Sequence, residues 1–291
     1  MKLGIIGNGF VGKATFQLEC DDVRIIAYDK NPDACIPLGT QITDLLECKI
    51  VFVCVPTPMR ESGECYLGII ESVLKDLKAI NYDGYVVLRS TVPVGTSERY
   101  KCFFMPEFLT EANFVNDFIA NPNWIFGIPE DTLRDTIDDF KRTIQYTFTT
   151  SKQHNKIAHD TCTFVTTKEA ESIKLFRNCF LATKVGFCNE FEEFCSGNNI
   201  DYTSVVNIAA QDKRIGMSHT MVPGPDGKRG FGGTCFPKDM NSLKHQMNGT
   251  ESCEPMIISA AINRNVTRDR AEQDWNSNEG RAVINLQDID N

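Results

Sequence analysis

Residues Gly230 to Asp239 read Gly-Phe-Gly-Gly-Thr-Cys-Phe-Pro-Lys-Asp, which puts Cys235 where a glycine-rich loop gives way to a helix. Pro237 suits the first helical position, so Cys235 is expected just before a helix N-terminus, where unpaired N–H groups and the dipole stabilise a thiolate. Lys238, one turn away, adds a cation. Taken alone, the same cysteine also reads as a buried structural thiol beside an ordinary turn. A second reactive pattern opens the chain. Lys2 to Ile6 is a short apolar strand running into Gly7-Asn8-Gly9-Phe10-Val11-Gly12. In a dinucleotide fingerprint Gly7 makes the tight turn, Gly9 admits a pyrophosphate and Gly12 lets the next helix pack against the strand. The apolar run Val23 to Tyr28 ends at Asp29, twenty residues past Gly9. A carboxylate there accepts from ribose hydroxyls and repels a 2′-phosphate, so NAD is expected rather than NADP, with Lys30 beside it as an opposing charge.

The elements that must position these residues follow from periodicity. Up to about residue 150, β-rich apolar runs alternate with amphipathic segments, the pattern of an α/β, doubly wound parallel sheet. Further strands are expected at Ile50 to Val55, Tyr85 to Leu88, Cys102 to Met105 and Trp124 to Ile128, with helices at Leu67 to Ile80 and Thr132 to Tyr146. Ligands gather beyond the carboxyl ends of such strands, so Val55, Pro56, Thr57, Ser90, Thr91 and Glu107 should face a cofactor cleft. Beyond a polar stretch around Ser151 to Asp160 the chain reads as mostly helical. This gives a Rossmann domain over 1–155 and a helical domain over 156–291, with the active site expected between them. Thr167 to Gly197 reads as one long, largely buried helix, with Ile173, Phe176, Phe180, Leu181 and Phe187 as its apolar residues. Lys174 and Asn178 lie four apart on it and share a face, a pair that could hold a hydroxyl and stabilise an oxyanion. Lys168, Glu171 and Lys184 allow the alternative of a solvated stripe. Asp201 is an expected N-cap for a helix to Asp212. Lys213 to Thr234 is too rich in glycine and proline to be helical, and helices are expected at Pro237 to Met247 and Glu254 to about Trp275.

Bulk properties bound the function. A net charge of −9 without a clustered basic stripe argues against nucleic-acid binding. The twelve cysteines show neither a Cys-x-x-Cys pair nor zinc-ligand spacing, so no metal is expected and reduced cytoplasmic thiols are. No run approaches the ~20 apolar residues of a membrane helix, and the apolar start is too short for a signal peptide. A soluble, intracellular protein is expected.

The chain resembles the UDP-glucose/GDP-mannose dehydrogenase family, the nucleotide-sugar 6-dehydrogenases, over about residues 1 to 268. The motifs are Gly-Asn-Gly-Phe-Val-Gly at 7–12, Val-Pro-Thr-Pro at 55–58, Ser-Thr-Val-Pro-Val-Gly at 90–95 and Pro-Glu-Phe-Leu-Thr-Glu at 106–111, followed by Lys174-x-x-x-Asn178 and the 230–239 segment. The resemblance implies a 6-phosphogluconate dehydrogenase-like fold and oxidation of a hexose C6 alcohol to a carboxylate with two NAD. It implies Cys235 as the nucleophile that forms a thiohemiacetal and then a thioester, Lys174 stabilising oxyanions and Asn178 orienting the sugar. Asp239 would act with a water on the alcohol proton, and Glu107 would assist thioester hydrolysis. Thr91 and Glu111 match positions near the nicotinamide and the catalytic water; by residue type alone they read equally as a turn-capping hydroxyl and a solvated acid. Phe108, Leu109, Phe231, Gly232, Gly233 and Lys238 match substrate-side positions. The implied partners are a nucleotide sugar, UDP-glucose first among them, and a second copy of the chain docked through Glu254 to Trp275. Family members usually continue as a second Rossmann-like domain covering the nucleotide, so this chain reads as a short form.

Two other readings compete. A β-hydroxyacid dehydrogenase has this length and a similar Lys/Asn pair but makes one hydride transfer and needs no cysteine. A non-catalytic NAD-binding remnant would need a partner to supply what is missing.

Overall fold

The computed structural model describes residues 1–285. They form two compact units: Met1–Thr57 with Leu67–Lys174, and Pro58–Tyr66 with the chain from Leu175 onward.

The first unit is built on a seven-stranded sheet of β1 (Lys2–Ile6), β2 (Arg24–Tyr28), β3 (Ile50–Val53), β4 (Tyr85–Leu88), β5 (Phe103–Phe104), β6 (Trp124–Ile128) and β7 (Cys162–Thr166), in the order β2-β1-β3-β4-β5-β6-β7. All pairs are parallel except β5 with β6, which meet antiparallel through Phe104 and Gly127. The strands are apolar on both faces because both are covered. Leu3, Ile5, Phe52 and Phe126 pack on one side with Phe140 and Phe148; Val51, Val53, Leu88 and Phe104 pack on the other with Ile70, Val73 and Leu77. The helices here are α1 (Phe10–Thr15), α2 (Gly68–Ala79), α3 (Thr96–Tyr100), α4 (Phe114–Ile119) and α5 (Arg134–Gln153).

Three features differ from the sequence reading. The sheet carries β7, built from Cys-Thr-Phe-Val-Thr directly after the polar stretch, and so the division between units comes after Lys174 rather than at 155. The short run of β-branched residues was masked by its polar neighbours. The sheet is also not wholly parallel, and its fifth strand shrinks to two residues.

The helix α6 (Thr167–Gly197) begins in the first unit and continues into the second. The second unit holds α7 (Tyr202–Ala209), α8 (Phe236–Asn248) and α9 (Met256–Arg264). Asp201 caps α7 as expected, accepting from the Thr203 N–H at 3.0 Å. The expected helix from Glu254 to Trp275 is shorter: α9 passes into a π-turn over Asn265–Asp269 and stops. α6 is not largely buried within this chain. Its core side consists of Cys179, Ala182 and Val185, packed with Met240 of α8 and Ile262 of α9, whereas Phe176, Phe180 and Phe187 are 58–70% exposed. No helix among the described residues is long and apolar enough to cross a membrane, and none of their His, Cys, Asp and Glu side chains cluster as a metal site.

Candidate active site

In the first unit the chain leaves β1 through the glycine loop. Gly7 has φ +89°, and a Cβ on Gly12 would stand 2.3 Å from the Gly7 carbonyl oxygen, so neither tolerates a side chain. Gly9 has nothing within 4 Å of where its Cβ would be, which leaves an open approach to the start of α1. Asn8 is buried: its Nδ2 donates to Ala34 O at 2.8 Å, and its Oδ1 has no hydrogen-bond partner. Asp29 accepts from the Asn8 N–H at 2.7 Å and the Asn31 N–H at 2.9 Å, which joins the end of β2 to the loop. An open glycine, an orphaned acceptor and a half-exposed carboxylate fit an NAD pyrophosphate and ribose. Phe10 and Val11 lie in the first turn of α1, half-buried, and Lys30 is exposed beside Asp29.

The strand-end hydroxyls lace neighbouring loops together. Ser90 Oγ donates to Val55 O at 2.5 Å, and Thr57 Oγ1 donates to Thr91 O at 2.7 Å, while Pro56 between them is exposed. Beyond β5, Glu107 and Lys174 form a buried ion pair at 2.5 Å, with side chains 5% and 3% exposed. The Lys174 ammonium also donates to the Glu107 carbonyl at 2.7 Å and lies 5.7 Å from the centre of the Phe108 ring; the other carboxylate oxygen accepts from the Leu109 N–H. Glu107, Phe108 and Leu109 line a small cleft with Arg89, Asp117 and Trp124. Glu111 lies exposed in the turn before α4.

In the second unit Cys235 is the N-cap residue of α8, half-buried, with no side-chain capping bond. Pro237 takes the second helical position, one later than expected. Asp239, fully buried in the first turn, accepts from Asn178 Nδ2 at 2.6 Å and from Lys238 Nζ at 2.7 Å. Burial disfavours the Lys238 cation, but Asp239, with Cys65 and Cys235 nearby, holds its pKa above the ordinary value. The loop before Cys235 is held by two amides. Asn265 accepts from the Phe231 N–H and donates to the Phe231 carbonyl, both at 2.8 Å, and Asn189 Oδ1 accepts from the Gly230 N–H. A Cβ on Gly232 would stand 1.6 Å from Arg270 Nη1, so the loop lies directly on that guanidinium; Gly233 is exposed.

Several of these residues escape the sequence reading. Asn189, Asn265 and Arg270 carry no spacing signal. Arg89 is fully buried at the end of β4, where its Nη1 donates to the Thr15 hydroxyl, and desolvation lowers its pKa. Of Lys168, Glu171 and Lys184, only Lys168 lies exposed, where it pairs with Glu130. Glu171 is fully buried, and Lys184 Nζ donates to the carbonyls of Ile215, Gly216 and Ser218 at 2.6–2.9 Å. Glu171 did leave a trace, since it stands one turn before Lys174.

Residues 38–145 match the NAD binding domain of the UDP-glucose/GDP-mannose dehydrogenase family, and residues 168–267 match that family's central domain. UDP-glucose 6-dehydrogenase of Pseudomonas aeruginosa is 33% identical over 84% of this chain and 60% of its own length. UDP-glucose 6-dehydrogenase YwqF of Bacillus subtilis is 30% identical over 76% of this chain and 52% of its own length. The chain thus spans little more than half the length of these relatives. Among solved structures, a UDP-glucose dehydrogenase from Pyrobaculum islandicum superposes with a TM-score of 0.75 at 23% identity, covering 91% of this chain and 67% of that one. The 3-hydroxyisobutyrate dehydrogenase of Mycobacterium tuberculosis has the same fold, with a TM-score of 0.66 at 14% identity and about nine-tenths of both chains covered.

Proposed function

The chain belongs to the UDP-glucose/GDP-mannose dehydrogenase family, and from that premise we propose that it oxidises the C6 alcohol of a nucleotide-linked hexose to a carboxylate in two steps, UDP-glucose being the first candidate. When bound, NAD accepts the hydride in each oxidation; the remaining work falls to side chains. Asp239, with a water, takes the alcohol proton, and Asn178 orients the sugar. The Cys235 sulfur bonds to the aldehyde carbon, whose oxygen becomes an oxyanion stabilised by Lys174. Loss of the second hydride leaves a thioester, and Glu107 assists the water that cleaves it and returns the thiol. Thr91 and Glu111 serve the nicotinamide side and the catalytic water, and Lys238 the substrate side.

The observation that carries this reading is the position of Cys235 at the head of α8, with Lys238 and Asp239 in the first turn of that helix and Asn178 of α6 donating to Asp239. A helix N-terminus and a buried ammonium both favour a thiolate. The test is stoichiometry: two NADH per UDP-glucose consumed, with Cys235→Ser stalling after the first oxidation or at the covalent stage. One NADH per substrate would instead favour a single-hydride hydroxyacid dehydrogenase, a reading supported by the full-length fold match to the Mycobacterium enzyme. We also propose a homodimer. The exposed Met256 and Ile257 at the start of α9 favour a surface within Glu254 to Trp275, and Phe176, Phe180, Phe187 and Phe194 on α6 extend the exposed apolar area.

A further inference from the structure

The loop joining β4 to α3 carries Thr91 and is fastened at its near end by the Ser90 and Thr57 hydroxyls. Its far end is held by Glu171, whose carboxylate leaves the first turns of α6 fully buried and accepts from the Gly95 N–H at 2.6 Å and the Ser97 N–H at 2.7 Å. Gly95 is the N-cap of α3 with φ +93°, so the carboxylate grips the chain where it reverses direction. A second bond from the same helix acts nearby, with Thr167 Oγ1 donating to Glu98 at 2.9 Å. The residues between the two fastenings, Val92 to Val94, have few ways to move once both ends are fixed.

A buried carboxylate is a costly means of satisfying two N–H groups that water or a serine side chain could satisfy at the surface. Glu171 also stands one turn before Lys174, which grips the loop after β5 in the same manner through Glu107. We propose that Glu171 is a positioning residue that sets Thr91 against the nicotinamide end of NAD, leaving the adenosine end to the glycine loop and Asp29. The inference rests on the NAD-dependent reading above. It assigns α6 a task apart from presenting Lys174 and Asn178: fixing the two strand-end loops between which a nicotinamide ring would be oriented.

The test compares NAD with ADP-ribose, which lacks the nicotinamide, by calorimetry on the full chain. Glu171→Gln keeps the volume but offers one acceptor and one clashing donor to the two N–H groups. It is expected to weaken NAD about tenfold while ADP-ribose binding stays within about twofold. Glu171→Asp, which keeps the charge but cannot reach both N–H groups, is expected to show the same selective loss and serves if the glutamine variant does not fold. Equal loss of both ligands, or no loss of either, overturns the proposal. If the parent chain binds neither ligand, it is the NAD reading that fails.

Discussion

At the scale of single residues, the buried pairs govern what mutation can reveal. Lys174→Met leaves the Glu107 carboxyl without its ammonium in a site where both side chains are almost wholly enclosed. Breaking such a pair costs about 3–5 kcal/mol, so this variant should melt well below the parent, and Lys174→Met with Glu107→Gln should recover part of the loss in a double-mutant cycle. Additive losses would show that the pair is not coupled. Beside the loop that precedes Cys235, a carboxylate couples stability to pH. The Arg229 guanidinium and the Ser196 hydroxyl hold the Glu192 carboxyl below its ordinary value of 4.5. A lowered carboxylate stabilises the folded chain above that value and stops doing so as pH falls through the folded one. Glu192→Gln should therefore be less stable than the parent at pH 7, and the difference in denaturation midpoint should vanish in acid; a gap that persists there counts against the pairing. The glycine loop and the place of Cys235 at the start of a helix were legible because both follow from residue type and spacing. Asn265 was not, because an amide that imitates a backbone partner looks in sequence like any polar residue.

At the scale of elements, α6 departs furthest from what its sequence suggests. Its period is readable and its ends fall where expected, yet its apolar residues do not imply burial within the chain. Periodicity reports which residues share a face, not what covers that face. Phe176 stacks on Phe180, and Phe187 on Phe191, along one side of the helix that none of the described residues covers. If the chain dimerises, Phe180→Asp with Phe187→Asp should shift it to monomer in light scattering, since two buried carboxylates would face an apolar interface. A dimer unmoved by that pair would return the interface to α9 alone. Strands fared better than connections: β4 and β6 match residue for residue, whereas β7 hid beside a polar segment. The helix expected to reach Trp275 stops early: Asn265 turns its amide to the Phe231 backbone, and the helix widens into a π-turn there.

At the scale of the whole molecule, the doubly wound class could be read from the alternation of strand and helix, but the partition into units could not. Pro58–Tyr66 belongs with the second unit although its neighbours on both sides belong to the first, and composition gives no sign of it. Gly63 there would put a Cβ 3.1 Å from Asn241 on α8, a contact between residues far apart in the chain. Such long-range pairings depend on three-dimensional closure rather than on local pattern. One consequence concerns dissection. No single scission yields the nucleotide-binding half intact: a fragment ending at 155 forfeits an edge strand and the carboxylate and ammonium that moor its two loops, and one ending at 174 still drags along a stretch whose packing partners have been discarded. Anyone wishing to study the halves separately must both excise an internal hairpin and retain the opening turns of a helix most of which lies in the other half.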